Sequence, residues 1–261
     1  MRIWWQSFVD PGQNGPYLAA LTTYLNEIAT DGVSVDVHGL TPPDRDFGRL
    51  TELRCAVQAI DNALDATDRG YHAYVLGHFQ DSGLYEARSA TRLPVLGLGE
   101  ATLHFAAQLG RTIALVSIDS VFERIHAEQA HLYGLGERVR HVTALDAVVE
   151  DFAAAFAGDE AAYGQLLARF HDLVEPLVRA GADVVVPAGA LPGLLLRRET
   201  GLTVGHAPVV NCVAVALKAA EMWVQLRDLT GVEPSRGPSF ALAPPGAVRD
   251  FRAFVEKGRS P

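Results

Sequence analysis

Two hydrophobic rhythms alternate along the chain. Residues 2–8 form a short apolar run, and DPGQNGP then breaks it. Over 17–29, Leu18, Leu21, Leu25 and Ile28 recur every three or four positions, which predicts a helix. Residues 33–37 (VSVDV) alternate with period two, as a half-buried strand does. The next helix is expected over 51–66, with Leu53, Val57, Ile60 and Leu64 on its apolar stripe. Short apolar runs at 73–77, 94–98, 112–116 and 182–186 read as buried strands, and 161–180 and 212–226 as helices. The tail from 231 is rich in Pro and Gly up to an amphipathic stretch around Phe251 and Phe254.

Alternation of this kind predicts an α/β fold, with parallel strands joined by crossover helices. In such sheets ligands collect beyond the carboxyl ends of the strands. Chemistry is therefore expected in the loops beginning at Gln6, Phe79, Gly99, Ser117 and Pro187. The chain also echoes itself. AYVLGHFQDSGL at 73–84 resembles DVVVPAGALPGL at 183–194, and the segment from Leu93 resembles that from Ala207. Two similar parallel-sheet halves are expected, one from 1–96 with 208–261 and one from 97–207, facing each other across a cleft.

Composition narrows the function. The 261 residues carry 22 basic and 31 acidic side chains, a net charge of −9. Without a dense Lys/Arg block, binding to a nucleic-acid backbone has no electrostatic footprint. Two cysteines, Cys55 and Cys212, cannot build a disulfide framework or a four-thiolate zinc site. No apolar run reaches membrane-spanning length and the start lacks a signal-peptide pattern, so a cytoplasmic protein is expected. GLGE at 97–100 lacks the third glycine of a dinucleotide fingerprint, and neither a P-loop nor a G-x-S-x-G elbow is present.

The segments HFQDSGL at 78–84, PVLGLGEA at 94–101 and ADVVV at 182–186 resemble the aspartate/glutamate/hydantoin racemase superfamily, nearest its hydantoin racemase branch. The resemblance implies two α/β domains related by a pseudo-twofold axis, with proton transfer in the cleft and no metal or organic cofactor. It also implies a small carboxylate or cyclic-amide substrate and a homo-oligomer. Family racemases place one cysteine at the equivalent strand end of each half. Here the first position is His78 and the second falls on Ala188 or Gly189. One-sided chemistry (isomerisation, decarboxylation or a lyase step) is therefore expected in place of two-cysteine racemisation.

His78 is the expected acid/base, because an imidazole exchanges protons near neutrality. Asp81 or Glu100 is expected to orient it, although Asp81 suits a helix cap and Glu100 a helix start equally well. Ser7, Phe79, Gln80, Ser82, Gly83, His104, Ser117 and Ser120 are expected to line the substrate site, facing Ala188, Gly189 and Ala190. Of the adjacent Trp4 and Trp5, one should enter the core and the other could reach the pocket roof. The loop from His38 to Arg45 is a candidate cover, with Arg45 toward an acidic substrate. Two rivals remain: a hydrolase in which His78, with or without a metal held by His78, Glu100 and His104, activates water, and a binding protein without turnover.

Overall fold

In the computed structural model, which describes residues 1–12, 14–44 and 47–259, the chain runs in order through β1 (Arg2–Gln6), α1 (Gly15–Ile28), β2 (Ser34–His38), α2 (Arg49–Asp68), β3 (Ala73–Leu76), α3 (Leu84–Ala90), β4 (Val95–Gly97) and α4 (Leu98–Leu109). It continues through β5 (Ile113–Ser117), α5 (Val121–Leu132), β6 (Val139–Ala144), α6 (Val149–Phe156), α7 (Glu160–Arg179), β7 (Val184–Pro187) and α8 (Ala190–Leu195). A small hairpin of β8 (Thr203–Val204) and β9 (Ala207–Pro208) precedes the last helices, α9 (Cys212–Thr230) and α10 (Pro245–Arg259). Among the described residues, no helix is long and apolar enough to cross a membrane.

The larger strands make two parallel sheets, ordered β2-β1-β3-β4 and β6-β5-β7. Val209 adds a parallel bridge to Val185 on β7. The second sheet therefore continues past β7 as the first continues past β3 into β4. The expected α/β class holds. The segment around the expected 207/208 boundary lies beside β7, while α9 packs on β3, β4 and α4.

Strand parity sorts the core. Ile3, Trp5, Ala73 and Val75 enter the large core, which also takes side chains from α1, α4 and α9. Trp4, Tyr74 and Leu76 point to the opposite face, where Cys55, Ala59 and Ala63 of α2 cover them. Both tryptophans are thus buried, and Trp4 stacks on His38 rather than reaching a pocket. Cys55, Ala56, Ala59, Ala63 and Ala66 give α2 an inward face rich in small residues, which let the helix lie close on the sheet. Of the expected stripe, Leu64 is buried and Ile60 packs on this core, whereas Leu53 is 63% exposed.

Candidate active site

The carboxyl ends of β1 and β3 fix one wall of a cleft. The buried Gln6 carboxamide donates to the carbonyls of Ser7, His38 and Gly39, and its oxygen accepts from Trp4, Asn62 and Tyr74. This ties down the start of the loop after β2, and the Asp44 N–H donates to the Phe8 carbonyl at 2.8 Å. Beyond β3, Gly77 lies so close to the Trp5 indole that an added Cβ would fall 2.1 Å from its Nε1. The chain then turns and presents His78.

His78 is held by residues distant in sequence. Its Nε2 lies 2.8 Å from Glu52 Oε1 and 3.6 Å from Asp44 Oδ2. The other Glu52 oxygen accepts from the Ser82 hydroxyl at 2.5 Å. Phe8 stacks on the imidazole at 4.2 Å. The side chains of His78, Glu52 and Asp44 are only 15%, 7% and 3% exposed, so they interact in a medium that screens charge poorly.

Their proton affinities follow. Burial works against charge on His78, but attraction and the hydrogen bond to Glu52, then the charges of Asp44 and Asp81, outweigh it and raise its pKa. Burial pushes Glu52 up, yet the His78 charge and the bonds from His78 and Ser82 bring it below its ordinary value. Burial, opposed by His78 and reinforced by Glu52, pushes Asp44 up to about 6.

A cavity of about 60 Å³ opens in front of His78. Ser7, Phe79, Gln80, Tyr17 and Asp44 line it from the first part of the chain, and Ala188, Gly189 and Ala190 face them. Phe47 from the loop after β2 meets Phe122 of α5 at 4.9 Å, and both line the cavity. Of the expected substrate-site residues, Ser7, Phe79, Gln80 and the 188–190 turn are thus brought together around His78.

Other candidates go elsewhere. Asp81 adopts a left-handed backbone (φ 55°) and is buried. Its carboxylate accepts from the N–H groups of Gly99 and Glu100, from Gln129 and from the Tyr133 hydroxyl. It therefore caps α4 rather than the helix that follows it. Burial, opposed by these donors, pushes it up to about 7. Glu100 pairs through both oxygens with the buried Arg88 and does not meet His78. His104 is exposed on α4, so His78, Glu100 and His104 form no common ligand set.

Ser82 and Gly83 start α3 outside the cavity, although Ser82 reaches it indirectly by holding Glu52. Ser117 is fully buried against His126, and Ser120 is an exposed residue preceding α5. Both thiols are buried and pushed up to about 12 by that burial: Cys55 sits on the sheet-facing side of α2, and Cys212 donates to the Gly189 carbonyl from behind the cavity wall. Arg45 lies outside the described residues.

Residues 17–220 match the family model described as Asp/Glu/Hydantoin racemase, most of the chain. The chain belongs to this family. It is 28% identical over 156 residues to a hydantoin racemase from Rhizobium meliloti, 59% of this chain and 60% of that protein. It therefore spans about three-fifths of the relative's length. Among solved structures, an allantoin racemase from Klebsiella pneumoniae superposes with a TM-score of 0.74 at 20% identity, covering 93% of this chain and 94% of the other. A liganded double mutant of arylmalonate decarboxylase superposes at 0.57 and 14% identity, over 92% and 96% of the two chains. These likenesses carry the two-sheet fold.

Glu52 and Asp44 lie on a helix and in a loop rather than at the strand ends where chemistry was expected. Glu52 had a readable signal. It lies three, four and seven residues before Cys55, Ala56 and Ala59, all on the buried face of α2, and an acid on such a face needs a partner. Asp44 sits in an irregular loop, where no periodicity marks which side chain turns inward.

Proposed function

We propose that this chain is a racemase-family enzyme that moves a proton at an activated carbon beside a carboxylate or cyclic amide, with His78 as its acid/base and no organic cofactor. The observation that carries the reading is the asymmetry of the cavity. Among the described residues, the titratable ones lining it are His78, Asp44 and Tyr17, all from the first 96 residues, while Ala188, Gly189 and Ala190 opposite offer no proton carrier. His78 stands where the resemblance implies the first cysteine of the family, and the 188–189 turn where it implies the second.

The Nε2–H points to Glu52, which leaves Nδ1 as the nitrogen that takes the proton from carbon. Glu52 is then a positioning residue: it fixes the tautomer and supports the imidazolium formed as the carbon loses its proton. Ser7 and Tyr17 line the cavity, and their hydroxyls are suited to stabilise the enolate-like oxygen, the charge on which such catalysis most depends. The imidazolium returns a proton to the same face. Isomerisation, decarboxylation followed by protonation, or a lyase step each needs only this one base.

The test follows exchange of the acidic proton of 5-substituted hydantoins, and carbon dioxide release from arylmalonates, in deuterated buffer. Wild type should act on at least one class, and His78→Asn should lower that rate by about 10²–10⁴-fold with its thermal melt intact. A folded His78→Asn protein exchanging at the wild-type rate would overturn the assignment.

A further inference from the structure

Two buried carboxylates, Asp44 and Glu52, stand beside His78. Asp44 is almost wholly buried, yet neither of its carboxylate oxygens receives a hydrogen bond among the described residues. Arg54, whose charge reaches Asp44, does not fill the gap. Its two terminal nitrogens donate instead to the carbonyls of Pro42 and Pro43, to Gln58 and to the Cys55 sulfur. A buried carboxylate without donors is costly, and a second carboxylate beside it makes it costlier. The acidic pair thus has unused capacity for positive charge.

We propose that Asp44, Glu52 and His78 form a divalent-cation site, suited to zinc-class ions that accept mixed nitrogen and oxygen ligands. One donor atom from each residue lies within 4.8 Å of the other two. Nε2 stands 2.8 Å from Glu52 and 3.6 Å from Asp44. Ligands about 2.1 Å from a tetrahedral or octahedral ion are separated by about 3.0–3.4 Å, so small side-chain shifts close the set. Two carboxylates neutralise the ion and an imidazole suits its borderline character. Ser82, bonded to the second Glu52 oxygen, orients that ligand from behind, as outer partners of metal ligands do. His78 and Asp44 both line the cavity, so open coordination positions face it, where water or a substrate oxygen would bind.

The ion and the proton compete for the same nitrogen. Binding replaces the Nε2 proton, which leaves to solvent, with the metal; the Nε2–H bond to Glu52 is lost and two carboxylate–metal bonds form. The metal-bound protein therefore cannot use the tautomer that proton abstraction requires, and zinc acts as an inhibitor of that chemistry. The inhibition rests on the proposed function; the site itself does not.

The experiment is equilibrium dialysis and titration calorimetry of the full, metal-stripped, untagged chain with zinc chloride. Wild type should bind one zinc per chain, and Asp44→Asn, Glu52→Gln and His78→Asn should each weaken binding at least tenfold. His104→Asn and Glu100→Gln should not change it. Absence of a saturable site, or unchanged affinity in folded variants of the three, would overturn the proposal. Cobalt loading of the wild type covers the case in which variants misfold: the His78 ring resonances should show large paramagnetic shifts, and unshifted resonances contradict the site. Proton exchange by the metal-stripped protein is read separately. Exchange without zinc binding sinks only the site, and zinc binding without exchange sinks only the enzyme reading.

Discussion

Glu52 spends both oxygens inside the protein, one on His78 and one on Ser82. Glu52→Gln keeps the volume but removes the charge that stabilises the imidazolium. In metal-stripped protein it should lower kcat by about 10–100-fold with KM little changed, because the Glu52 carboxylate is bonded away from substrate. Steady-state kinetics of the variant check this split. A second residue-scale expectation concerns His126, which lies buried between Ser117 and Gln129. Burial, opposed by the Gln129 bond, lowers its pKa to about 4, against 6.5 unfolded. The unfolded chain therefore binds the proton first, and the contribution of this group is present above pH 6.5 and lost as pH falls to about 4. The shift corresponds to about 3 kcal/mol at most. Denaturant melts at the two pH values should show wild type losing more stability than His126→Asn by up to that amount. His78 was legible because it stands alone in a motif at a strand end. Its partners were not, since Asp44 and Glu52 lie 34 and 26 residues before it and only the fold brings them together.

At the scale of elements, buried strands were the most legible, because runs such as AYVL at 73–76 are apolar on both faces. The 149–156 helix and the 139–144 strand were not read. The former is short and rich in alanine, and the latter, VRHVTA, carries polar residues on a sheet edge. The start of the α2 face was misplaced because alanines and Cys55 bury themselves by permitting close approach, while the larger Leu53 stays outside and Leu64 is buried. Close approach also rules the start of α4. A Cβ at Gly99 would fall 2.1 Å from the Phe79 carbonyl, which belongs to the turn holding His78. Gly99→Ala must displace backbone and should cost about 1–3 kcal/mol, together with a loss of activity larger than the stability change explains. Chemical denaturation and turnover of the same preparation check both.

Across the whole molecule, the Asp81 carboxylate links the two parts of the cleft. It sits in the turn after β3, yet it accepts from Gln129 and Tyr133 of the helix and turn beyond β5. Tyr133→Phe removes one donor from a buried carboxylate and should cost about 1–3 kcal/mol, measured by equilibrium unfolding. Proton transfer in this cleft is proposed to be one-sided, with a single imidazole facing a turn of alanine and glycine. A single enantiomer of a turned-over hydantoin in deuterated buffer tests this. Deuterium should enter the acidic position faster than configuration is lost, with both rates falling together in His78→Asn. Inversion accompanying every deuterium incorporated would mean a second proton carrier on the opposite wall and would contradict it.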